Sequence, residues 1–156
     1  MLRLARPGMR LFAASMVALA VACSPAAPAA TSTAASTATG AGTQTAKGPV
    51  AVSLVEWAIR AEPAQVAPGT TTFNVRNNGT VPHNLLIIRS DEAPTGLPTV
   101  SGRLDEAGLQ IVGRTGDLTG GSGEEITVEL PAGRYILACN VIGHYNSGQA
   151  AAFTVQ

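Results

Sequence analysis

Cys139-Asn140-Val141-Ile142-Gly143-His144-Tyr145-Asn146-Ser147-Gly148-Gln149 places a thiol, an imidazole and a side-chain amide along one short stretch near the C-terminus. Far upstream stands His83. The chain has two His and two Cys in all, and the other Cys, Cys23, closes an N-terminal segment of export type. Every imidazole and the one spare thiol therefore fall into a single constellation. One soft thiolate, two imidazoles in a trigonal arrangement and a weak axial donor (Met, Gln or a backbone oxygen) are what a redox-active copper ion takes. The chain offers His83, Cys139, His144 and Gln149 for those four positions.

Other chemistries compete for the same residues. Singly, a buried Cys is a small hydrophobe and a buried His a structural residue. Zinc accepts both, but structural zinc sites are four-coordinate and use more Cys or His than this chain has, and Gln is a poor fourth ligand. A Cys-His nucleophile pair needs the base oriented by a third group, and no acidic residue stands near His144 in sequence.

Pro82-His83-Asn84 followed far downstream by a Cys-x4-His loop just ahead of a final strand resembles the cupredoxins, the blue or type 1 copper proteins that include plastocyanin, azurin, auracyanin and sulfocyanin. The resemblance covers residues 48–156. It implies an all-β, antiparallel Greek-key sandwich holding one mononuclear type 1 copper ion. It further implies His83, Cys139 and His144 as ligands, Asn84 as a hydrogen-bonded tie between the two ligand segments, and Pro82 and Gly143 as flanking residues. The sequence departs from the usual pattern at the axial position. Met is absent there, and all three Met residues (Met1, Met9, Met16) lie in the N-terminal segment. Gln149 takes the place that Gln has in the plant stellacyanins; an amide oxygen is a harder donor than a thioether and favours Cu(II). The resemblance also implies an exposed edge of the loop His as the route for electrons, with Ile142 and Tyr145 as a docking patch, or with Tyr145 simply covering the site.

The strand pattern agrees with such a fold. Runs at 50–59, 71–76, 84–89, 125–130, 134–139 and 150–155 are rich in β-formers and separated by turn residues. Thr72-Phe73-Asn74-Val75-Arg76 and Ile126-Thr127-Val128-Glu129-Leu130 alternate side-chain character, as half-buried strands do. Pro68-Gly69, Asn77-Asn78-Gly79 and Pro131-Ala132-Gly133 are turn signals, the Asn-Gly pair predicting a hairpin. Residues 90–123 look least regular. Their Gly-rich end, 113–123, lacks the Gly-Lys-Ser/Thr close of a phosphate loop and predicts a flexible connection.

Ahead of this domain, residues 1–22 carry Arg3, Arg6 and Arg10, an apolar run over 11–22 and small residues before Cys23, which is the layout of an export signal. Ala20-Val21-Ala22-Cys23 resembles a lipobox, with Cys23 as the lipidated residue. Residues 23–47, mostly Ala, Thr, Ser, Pro and Gly, have too little apolar bulk to offset the entropy of folding and predict a tether. At about 5 to 6 Å times the square root of its length, it reaches roughly 25 to 30 Å. Removing the three N-terminal Arg from ten basic residues leaves seven against ten acidic, a net charge near −3 with no basic patch, so nucleic acid is not an expected partner. The expectation is a monomeric, lipid-anchored protein of the bacterial periplasm or cell surface that exchanges electrons with redox proteins. A copper carrier is the alternative. Enzymatic copper chemistry of the multi-centre kind would need further His residues.

Overall fold

The computed structural model describes residues 48–156; the export signal, Cys23 and the tether lie outside the described residues. Two sheets face one another. The first has the order β2-β1-β4-β9, built from β1 (Val50–Val55), β2 (Ala58–Glu62), β4 (Gly69–Asn77) and β9 (Gly123–Leu130). The second has the order β3-β11-β10-β5-β8, built from β3 (Gln65–Val66), β5 (Leu86–Arg89), β8 (Gln110–Arg114), β10 (Gly133–Ala138) and β11 (Ala150–Val155). A small hairpin, β6 (Thr99–Val100) with β7 (Arg103–Leu104), stands apart. The sandwich expected from the strand pattern is present.

Side-chain alternation explains the packing. In β4, Phe73 and Val75 face inward while Asn74 and Arg76 face solvent, the period of two that a sheet with one wet face requires. Phe73 meets Phe153 at a centroid distance of 5.4 Å, and with Val50, Val52, Leu54, Ile87, Leu130, Tyr135 and Leu137 they fill the space between the sheets. β5 and β10 are apolar on both faces because their outer side is also covered. Leu86, Ile88, Ile136 and Ala138 pack there against Leu97, Leu104 and Tyr145.

Three expectations need correction. The sandwich is not wholly antiparallel: β1 pairs with β4, and β11 with β3, in parallel. The chain leaves the β1–β2 hairpin, crosses to the other sheet as β3 and returns beside β1 running in the same direction. Asn77-Asn78-Gly79 is no hairpin turn, since β4 and β5 belong to different sheets. The Asn77 side chain, fully buried, instead donates to Val81 O and Leu118 O and accepts from Gly79 N. Finally, part of the Gly-rich stretch is ordered. Gly113 lies inside β8, and the segment after it exchanges backbone hydrogen bonds with the start of the β5 region: Thr115 N to Leu85 O, and a reciprocal pair between His83 and Leu118.

The register of the second sheet is what assembles the site. Ala138 pairs with Leu86 at the end of the β10–β5 ladder. Extending both strands past that pair brings Cys139 and Asn140 beside His83 and Asn84.

Candidate metal centre

His83 Nδ1 lies 3.1 Å from His144 Nδ1, and Cys139 Sγ lies 3.5 Å from His144 Nδ1 and 3.9 Å from His83 Nδ1. A point equidistant from the corners of that triangle is about 2 Å from each, the length of a metal–imidazole bond. His83 and Cys139 are fully buried, and His144 is 9% exposed. The three residues are positioned to hold a metal ion.

Gln149 is also fully buried. Its Nε2 donates to Val55 O at 2.7 Å and lies 3.0 Å from His83 Nδ1, which leaves Oε1 buried without a hydrogen-bond partner. Buried polar atoms are rarely left so; the amide end of Gln149 thus lies against His83, with Nε2 the atom nearest Nδ1 and Oε1 lacking a partner.

The frame around these atoms is hydrogen-bonded throughout. Asn84 ties the two ligand segments: its N donates to Cys139 Sγ at 3.5 Å, its Oδ1 accepts from Asn140 N at 2.7 Å, and its Nδ2 donates to Asp117 Oδ1 at 2.7 Å. Asn140, for which the sequence suggested no role, anchors the loop from the other side. Its Oδ1 accepts from Leu104 N, its Nδ2 donates to Glu106 Oε1, and its carbonyl accepts from Arg103. The ligand loop is also tied to itself and its surroundings. Gln149 O accepts from Cys139 N, Gly102 O accepts from Gly143 N, and a single 3-10 turn at Tyr145–Ser147 stops at Gly148, whose φ of 93° suits glycine. Pro82 is exposed and directly precedes His83.

Tyr145 does not form a docking patch. It is 3% exposed, its hydroxyl donates to Pro94 O and accepts from Leu97 N, and its ring belongs to the outer cluster of the second sheet. A phenol with both hydrogen-bond roles filled inside the protein has no reason to face water. Ile142, by contrast, is 62% exposed. The aromatic residue that does stand at the site is Trp57, in the turn between β1 and β2. Its ring meets that of His144 edge to face at 5.5 Å. No spacing rule connects residue 57 to residue 144, so sequence reasoning had no signal for it.

Electrostatics prepares the ligands unequally. Burial, and secondarily the neighbouring His144, hold the His83 imidazole below its ordinary value, so it is neutral and ready to coordinate. Burial pushes the Cys139 thiol up, against the opposing pull of the Asn84 and Val141 backbone N–H groups. A cation must therefore displace the thiol proton, and binding releases it. Glu56, beside Trp57, is held at about 2, first by the Thr80 backbone N–H.

Comparison with known proteins fits this geometry. A family model described as the sulfocyanin (SoxE) domain matches residues 63–156, more than half of the chain. Among solved structures, auracyanin from the photosynthetic bacterium Roseiflexus castenholzii is similar at 25% identity and a TM-score of 0.55, over 71% of this chain and 98% of that one. Rusticyanin from Thiobacillus ferrooxidans shares the fold at 18% identity and a TM-score of 0.54, over 69% and 76%. An azurin from Methylomonas sp. strain J does so at 15% and 0.54, over 71% and 99%. No curated protein matches. The paired ligand segments, the sandwich that holds them and the match over most of the described domain together mean that this chain belongs to the sulfocyanin (SoxE) family of cupredoxins.

Proposed function

We propose that His83, Cys139 and His144 ligate one type 1 copper ion, with Gln149 Oε1 as the weak axial donor, and that the protein carries single electrons between redox proteins. The observation that carries this reading is the buried triangle of two Nδ1 atoms and one Sγ, with the Gln149 amide group against His83 and its oxygen unpartnered. A thiolate and two imidazoles in trigonal array, with a weak oxygen donor, are the ligand set of electron-transfer copper. Bound copper supplies the one-electron couple. The chain's own part is to hold the donors still: His83 is fixed by the Leu118 bridge, Cys139 by the end of β10, and both by Asn84. Ligands tied this way keep one arrangement in both oxidation states. The protein is a carrier and not an enzyme on this reading, because both of its His residues serve one centre.

Partners would meet the protein at the loop end. Ile142, Trp57, Val81 and Val100 are the exposed large apolar residues among those described: Ile142 and Val81 stand two residues before His144 and His83, Trp57 meets the His144 ring, and the hairpin of Val100 accepts from Gly143 N through Gly102 O. A small apolar face of this kind suits brief redox encounters. The remaining parts of the reading concern residues 1–47. An export signal over 1–22, a lipid on Cys23 and a tether over 23–47 would place a monomeric domain in the periplasm or at the cell surface, held to the membrane. Replacing Cys23 by Ala and following incorporation of a labelled fatty acid tests the anchor; unchanged labelling would remove it from the account.

Copper carriage without electron transfer is the competing reading. The only Met residues, Met1, Met9 and Met16, precede the domain, so no thioether is available to receive Cu(I). Reducing the copper-loaded protein in the presence of a Cu(I) chelator separates the two: an electron carrier retains its copper in both states, whereas a carrier of the ion gives it up on reduction.

A further inference from the structure

Glu56 and Trp57 form the turn between β1 and β2, and neither belongs to the ligand set. Trp57 has φ of 65°, a left-handed conformation that a bulky side chain adopts only at a cost and that concentrates at functional sites. The turn is not left to itself. Glu56 Oε1 accepts from Thr80 N, Thr80 Oγ1 and Val81 N, which pins the turn to the segment leading into His83. The approach is close enough that a Cβ on Gly79 would stand 2.7 Å from the Glu56 carboxylate, so a side chain at position 79 would push the carboxylate aside.

Held there, the turn reaches the centre twice. The Val55 carbonyl accepts from Gln149 Nε2 at 2.7 Å and so decides which way the amide points. The Trp57 indole stands edge to face against His144 at 5.5 Å, with an interplanar angle of 80°, a favoured aromatic geometry. Although 54% of Trp57 is exposed, His144 behind it is only 9% exposed. An exposed indole in a strained backbone conformation gains little from burial, and its ring contact is with His144.

We propose that Trp57 is a positioning residue of the metal centre, presented by the Glu56 clamp, that fixes the His144 ring and excludes water from its outer edge. The inference rests on the copper reading above. Excluding water disfavours the more highly charged oxidised state, so the indole raises the reduction potential.

The test is made on the full chain loaded with copper. Trp57→Gly removes the indole while supplying the residue that φ of 65° prefers, so the fold is kept and the turn relaxes. Trp57→Phe restores an aromatic edge, and Glu56→Ala releases the clamp. The expected result is a lowered potential and altered EPR copper hyperfine splitting in Trp57→Gly, partial return in Trp57→Phe, and a change in the same direction in Glu56→Ala. If Trp57 serves the fold alone, Trp57→Gly changes thermal stability while its potential and EPR signal match the parent, and that result overturns the inference. If the parent itself shows no Cys-ligated copper spectrum, the copper reading fails and the inference that rests on it falls with it.

Discussion

At the scale of single residues, the donor set was legible because the chain is so sparing with it: two His, one Cys within the domain and no Met after Met16. Scarcity made the spacing meaningful. The tie through Asn84 followed from family resemblance, and its hydrogen bonds to Asn140 N and Asp117 are present. What could not be read were residues that act through the backbone of a distant segment, such as Val55, Glu56 and Asn140, since hydrogen bonds to main-chain atoms leave no pattern in sequence. Two predictions belong here. Gln149→Met should keep copper and raise the potential, since a thioether stabilises Cu(I) better than an amide oxygen; voltammetry showing no change would remove Gln149 from the ligand set. Asn84→Ala strands the Asn140 N–H and should cost about 1 to 3 kcal/mol of stability, measured by denaturant unfolding of the metal-free protein.

At the scale of elements, the long strands were legible where one face is wet, as in β4, because alternation is then forced. Residues 50–59 read as one strand yet are the two arms of a hairpin broken at Glu56 and Trp57, a turn without Gly or Pro to announce it. β8 was hidden by its Gly113 and by the Gly-rich residues that follow. That glycine is there for packing: a Cβ at position 113 would lie 2.6 Å from Val128 Cγ1 in the facing sheet. Gly113→Ala should therefore destabilise the domain by roughly 1 to 3 kcal/mol, the usual cost of overpacking, read as a lowered Tm. Thr115 makes a second link, its hydroxyl accepting from the buried Leu85 N at 2.9 Å. Thr115→Val keeps the volume but orphans that N–H just beyond His83. It should lower stability by about 1 to 3 kcal/mol while leaving the copper stoichiometry unchanged in a titration.

At the scale of the molecule, the described residues, 48–156, hold two core clusters and bring His83, Cys139 and His144 together. Metal-free, the protein should be most stable in a window of pH set by the two buried ligands. His83 binds its proton less readily folded than unfolded, so as pH falls below about 6.5 the unfolded chain takes up protons first and stability declines. Cys139 loses its proton less readily folded than unfolded, so above about pH 8.5 the unfolded chain is favoured again. Copper should abolish the alkaline decline, because the bound sulfur is already a thiolate; urea unfolding with and without copper from pH 5 to 10 checks both limbs. The account stands most directly on one experiment: titrating residues 48–156 with Cu(II) while recording visible absorption and EPR, then reducing with ascorbate and reoxidising. It predicts saturation at one copper per chain, with an intense thiolate-to-copper band that bleaches on reduction, returns on oxidation and is missing in Cys139→Ser. A colourless complex, or a band that does not depend on Cys139, would contradict it.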